Sequence, residues 1–171
     1  MQQTLMTLGA LMIITMVSVN QQRANYIAVE GIYVREQESA ALDYASLRLE
    51  NIENSYAYDE ATTDGSEPDL GTMSDGNSFG PDTGENNEAD FDDVDDYHNF
   101  TESISHAIST DTFRFDVTYS LRYINPAAPS QQTASPTMAK ELTVAVVSQD
   151  TIGFRVAKYT GTKIILAADI Q

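Results

Sequence analysis

Residues 5–19 read LMTLGALMIITMVSV, an almost wholly apolar run broken only by Thr7, Gly9, Thr15 and Ser18. No charged side chain precedes Arg23. A helix of this composition is not tolerated by water alone and must be buried by a bilayer, by a signal-sequence receptor or by copies of itself. The strict run spans about 22 Å as an α-helix, whereas the hydrocarbon core of a bilayer is about 30 Å thick. Only with its uncharged flanks, from Met1 to Gln22, does the segment become long enough to span. A cleaved signal fits poorly: the residues ahead of the run, Met1-Gln2-Gln3, carry no side-chain charge, and no A-x-A site follows Val19. A retained hydrophobic helix over 1–24 is therefore the expectation.

Behind this front the pattern becomes amphipathic. Leu42, Ala45, Leu49, Ile52 and Tyr56 fall at spacings of 3, 4, 3 and 4, while Ile27, Val34 and Ala41 repeat every seven on a neighbouring face. Residues 25–58 are thus read as the rear of the same helix, with one seam laid on something apolar and Gly31 as its weak point. The heptads are too few and too rich in Ala for a coiled coil.

The composition then changes. The chain has 171 residues, no Cys and a formal charge of −17, which argues against nucleic acid or anionic lipid as partners and excludes disulfides and thiolate metal sites. The charge is concentrated: no Lys or Arg occurs between Arg48 and Arg114, an interval holding 18 of the 26 acidic residues. Residues 59–100 contain Gly65, Gly71, Gly76, Gly80 and Gly84 with Pro68 and Pro81, and read as a long acidic, Gly-rich loop. Its last part, Asp90-Phe91-Asp92-Asp93-Val94-Asp95-Asp96, sets five carboxylates in seven residues. Two readings stay open: a solvated acidic loop, or a Ca²⁺ site with Asp90, Asp92, Asp93, Asp95 and Asp96 as ligands, since oxygen-only clusters suit Ca²⁺. No window satisfies the EF-hand spacing. His98 is read as a solvated residue or a metal ligand beside Asp95 and Asp96, and His106 as a surface residue.

Asn99-Phe100-Thr101 fits the N-glycosylation acceptor pattern, with Asn99 as the attachment point. Residues 101–171 form the β part. Thr101 to Thr110 is expected to be a short helix or turn. Phe113, Phe115, Val117, Tyr119, Leu121 and Tyr123 alternate with polar residues, the signature of a half-buried strand. Pro126 to Lys140 reads as a loop. Glu141 to Ser148 is a second strand, and Thr151 to Tyr159 and Thr162 to Ile170 are a third and fourth, joined by a hairpin at Thr160-Gly161. The expected fold class is α+β: a long N-terminal helix packed at its rear on an antiparallel sheet of about four strands.

This layout of protruding apolar helix, variable loop region and C-terminal strands resembles the type IV pilins and pseudopilins. The resemblance implies a structural subunit of an extracellular, cell-surface filament, held in the inner membrane before assembly. It assigns Leu5, Leu8, Leu11, Met12, Ile13, Ile14, Met16 and Val17 to the interface between copies. Small residues such as Gly9 and Ala10 suit close helix packing. The chain departs from the family at residue 5, which is Leu where Glu is usual, and in having neither a visible basic leader nor the paired Cys. Two alternatives stand beside the filament subunit: a single-span anchored protein that binds a ligand outside the cell, and a minor pilin or pseudopilin. An enzyme is not expected, because two histidines, no Cys and no phosphate-binding loop supply no catalytic constellation.

Overall fold

A helix about 80 Å long, α1 (Gln2–Ser55), opens the chain. The computed structural model describes residues 2–85, 87–108, 111–150 and 156–167, apart from the side chains of residues 2, 5, 108 and 111. The front of α1 projects, and its rear lies on an antiparallel sheet of five strands: β1 (Thr101–Ile108), β2 (Asp111–Asn125), β3 (Ala128–Thr133), β4 (Ala139–Ser148) and β5 (Lys158–Leu166). Strand order is β1-β2-β4-β5, with β3 paired to the end of β2. The chain is α+β, as the patterning predicts.

β2 presents Phe113, Phe115, Val117, Tyr119, Leu121 and Tyr123 to the core, each at most 5% exposed. Leu142, Val144 and Val146 of β4 are fully buried beside them. Arg114, Thr118, Ser120 and Arg122 face outward, so alternation along one strand sets both the core and the solvated face. The covering stripe of α1 is Val34, Ala41, Ala45, Leu49 and Ile52. It differs from the expected seam in two members: Leu42 is 40% exposed, with Ala41 buried in its place, and Tyr56 lies beyond the end of the helix, half-buried. The stripe also contains Gln37, buried with neither amide atom paired, a local cost of about 1–3 kcal/mol.

Four expectations are corrected. The helix ends at Ser55, a turn earlier than Tyr58. Residues 101–108 are a strand, held by β2 in the register Thr101↔Thr118 to Ile108↔Asp111. The stretch 126–140, read as a loop, contains β3 and the start of β4. Thr160-Gly161 makes no hairpin; β5 runs straight through it, with Gly161 opposite Val144. Gly161 serves close approach instead. A Cβ there would stand 3.0 Å from Leu49 Cδ1 and 3.6 Å from Ala45 Cβ, so the missing side chain lets α1 settle on the sheet. Of the expected strands at 151–159 and 162–170, residues 151–155 and 168–170 lie outside the described residues.

Candidate functional site

Two regions are candidates, and they contrast in how their sequences are satisfied. The first is the front of α1. Every described side chain from Gln3 to Val29 is exposed. Of the residues assigned to an interface, Leu8, Leu11, Met12, Ile13, Ile14, Met16 and Val17 are 75, 69, 75, 66, 67, 68 and 54% exposed. The side chain of Leu5 lies outside the described residues. At 100° per residue these positions point to all sides of the helix, and a helix that is apolar all round is ordinarily buried all round. Burying these seven side chains is worth on the order of 10 kcal/mol per chain before ordering costs. Among the described residues, no helix is long and apolar enough to cross a membrane.

The second region is the acid-rich stretch between α1 and β1. It contains three short 3₁₀ turns, Glu60–Thr62, Glu88–Asp90 and Asp95–Tyr97. Much of its end is buried: Phe91, Val94 and Tyr97 join the core with Met73 and Phe79, and Asp93, Asp95 and Asp96 are at most 4% exposed. Backbone bonds tie it to the end of the helix, Ala57 N donating to Asp92 O at 3.1 Å and Val94 N to Ala57 O at 3.0 Å. Gly76 donates to Ala134 O at 2.9 Å, and a Cβ there would meet that same oxygen at 3.0 Å.

Two cations from outside the stretch hold it. Lys140, fully buried, donates to Tyr58 O, to Asp59 Oδ2 at 3.2 Å and to Asp95 Oδ1. Its Nζ stands 4.4 Å from the Tyr58 ring centre and 5.2 Å from those of Phe79 and Tyr123. Asp59 in turn accepts from Ser74 N at 3.1 Å and from Tyr123 OH at 3.2 Å. Arg48 of α1 bonds Glu88, donates to Tyr119 OH at 2.8 Å and lies 3.4 Å from Glu102. It sits over the rings of Tyr97 and Tyr119. Burial, with Glu102 next, raises Tyr44 to about 12, so its hydroxyl stays protonated and donates to Glu102 at 2.8 Å.

The carboxylates these cations do not reach crowd one another. Two groups have oxygens within 4.8 Å: Glu60, Asp92 and Asp93, and Glu85, Asp92 and Asp96. Asp92 belongs to both. Asp96 Oδ2 accepts from Asp92 N and Asp93 N, each at 3.2 Å, and Asp93 Oδ1 accepts from Asp95 N at 2.6 Å. Burial, then the charges of Asp95 and Asp96, pushes Asp93 up to about 8. Burial and the neighbouring Glu85 push Asp96 up to about 7. Burial does the same to Asp95, against the pull of Lys140. Glu60 is raised by desolvation and by Asp92. Such a cluster either retains protons or takes a cation whose preferred ligands are oxygens.

The expected ligand set is thus redistributed. Asp92, Asp93 and Asp96 stand in the triads; Asp90 is exposed and in neither; Asp95 is committed to Lys140. Glu60 and Glu85, distant in sequence, were not legible as members. His98 is half-buried, and its Nδ1 accepts from Leu121 N at 3.1 Å. His106 is exposed on β1. Asn99 is exposed with φ 63°, a left-handed conformation that Asn tolerates, at the turn into β1.

No known protein family, curated protein or solved structure matches the chain.

Proposed function

We propose that this chain is a structural subunit of an extracellular pilus-like filament, polymerising through the front of α1 with the sheet and the carboxylate-rich end on the outside. The observation that carries the reading is the run from Leu8 to Val17, apolar on every side and uncovered by its own domain. Copies of the same helix suit it better than a bilayer, because the strict apolar run of about 22 Å falls short of about 30 Å of hydrocarbon. Deleting residues 5–19 tests this. The expected product is a soluble monomer with the sheet intact and no capacity to form filaments, whereas the full chain assembles once detergent is removed. A full chain that stays monomeric without detergent, or a deleted one that still forms filaments, contradicts the reading.

A second element is Ca²⁺ at the two triads, which we infer from the sharing of Asp92 and from the lack of any Lys or Arg between Arg48 and Arg114. The ligands are Glu60, Asp92 and Asp93 on one side and Glu85, Asp92 and Asp96 on the other. Chelation with EDTA is expected to increase protease cleavage between residues 59 and 99 while α1 and the sheet survive. Cleavage that is indifferent to EDTA removes calcium from the account and leaves the helix argument standing.

A further inference from the structure

Among the described residues, two lysines make ion pairs, and their surroundings are opposite. The Lys163–Glu53 pair is open to water, with side chains 37 and 19% exposed. Lys140 is fully buried, and its partners Asp59 and Asp95 are buried with it. The rings of Tyr58, Phe79 and Tyr123 close round its Nζ. The two carboxylates are held differently. Asp59 accepts from Ala61 N at 3.3 Å, Ser74 N at 3.1 Å and Tyr123 OH at 3.2 Å, a set of donors that suits a carboxylate. Asp95 accepts from Lys140 on Oδ1, while its Oδ2 is buried with no hydrogen-bond partner among the described residues. A charged oxygen left dry and unpaired is costly. An amine and a carboxyl fixed in contact beyond the reach of water are also reactants, since well-oriented intramolecular pairs reach effective molarities on the order of 10⁵ M or more.

We propose that Lys140 and Asp95 join in an intramolecular isopeptide bond, Nζ to Cγ, with Asp59 as the proton carrier. The ion pair is the state before reaction. Within it, Lys140 gives one proton to the Asp95 carboxyl, leaving a neutral amine and a neutral acid and exchanging nothing with solvent. The amine lone pair then attacks Cγ. Asp59 Oδ2, 3.2 Å from Nζ, takes a second proton from the nitrogen and delivers it to the departing hydroxyl. The Cγ–O bond breaks, its electron pair leaves with the oxygen as water, and the third proton stays on the amide nitrogen. The product is neutral, so a buried charge pair disappears together with one carboxyl oxygen, and the apolar walls keep out the water that hydrolysis needs. Asp59 is the carrier and not the acylated partner because its three donors hold it as a carboxylate, the poorer electrophile. The chain has no Cys, and this bond staples the acid-rich stretch to β4 as a disulfide otherwise does. Lys140 and Asp95 stand outside both carboxylate triads, and the bond does not rest on the filament reading.

Mass spectrometry of the full chain tests it. The intact protein is expected to weigh about 18 Da less than its sequence, the mass of one water. Trypsin then fails to cut after Lys140, and residues 49–114, which hold no Lys or Arg before Arg114, are recovered joined to residues 123–155. Lys140→Arg keeps the cation but lacks the reactive amine, and is expected at the full sequence mass with no joined fragment. Asp59→Asn is expected to slow bond formation about a hundredfold or more, read as chain still at the full mass soon after synthesis; bonding as fast as in the parent chain removes Asp59 from the reaction. A parent chain at the full sequence mass that is cut normally after Lys140 overturns the proposal, whatever the variants do. So does a loss of water that persists in Lys140→Arg, which marks ring closure at Asp64-Gly65 or Asp75-Gly76 instead.

Discussion

The front of α1 and the acid-rich stretch behind it are both compositions that water or neighbours must satisfy, yet the molecule treats them in opposite ways. The acid-rich stretch is partly satisfied from within: Lys140 and Arg48, which flank it in sequence, reach in from the sheet and the helix, and Tyr58, Phe79, Tyr97, Tyr119 and Tyr123 wall off the two cations, while Asp92, Asp93 and Asp96 crowd one another beyond them. Among the described residues, nothing covers the front of α1. One region closes the domain on itself, and the other leaves a surface only something outside can cover. That difference is what the proposed filament reading rests on.

The comparison can be broken at its strongest point. Lys140→Ala leaves Asp59 and Asp95 buried without their cation, and loss of one partner of a buried pair costs about 3–5 kcal/mol. Urea unfolding followed by tyrosine fluorescence is expected to show a loss of that size, and a loss below about 1 kcal/mol would mean that the clamp does not hold the stretch.

Acidity probes the same region. Asp93 at about 8 and Asp96 at about 7 lie above the ordinary carboxylate value. The folded state therefore binds more protons than the unfolded one between about pH 4 and pH 8, and stability falls as pH rises through that window. In EDTA stability is expected to fall from about pH 5 to about pH 7, and saturating Ca²⁺, which favours the ionised carboxylates, flattens that fall. A stability that rises from pH 5 to pH 8 in EDTA contradicts the crowding of these groups.

A smaller effect is expected at the joint between helix and sheet. Gly161→Val places a branched side chain 3.0 Å from Leu49 Cδ1, and overpacking of this kind costs about 1–3 kcal/mol. If Gly161 were instead merely a weak point in an edge strand, the β-branched residue would stabilise. The smallest effect belongs to the front helix. Met12→Gln is expected to change domain unfolding by less than about 0.5 kcal/mol, as an exposed substitution does, while impairing assembly.

The sequence announces some of this arrangement and conceals the rest for physical reasons. Alternation in β2 and β4 is a two-residue pattern with one buried face, so those core residues were readable directly. The same alternation, carried back from Leu142, places Lys140 on the core face, a signal overlooked because a lysine is rarely buried. The strand at 101–108 is concealed because its polar residues read as a short helix or turn, and it pairs with β2 at a sheet edge. Gly161 misled because glycine marks both turns and close approaches, and only the position of α1 distinguishes them. The acid cluster was readable in composition but not in membership. Asp92 finds Glu60 and Glu85 through folding of the intervening chain, and no local spacing encodes that.

Electron microscopy of material sheared from cells that express the chain, with mass spectrometry of the filament fraction, tests the central claim most directly. The account predicts uniform filaments containing this chain with its front helix intact. The protein absent from every filament and released only by detergent would contradict it.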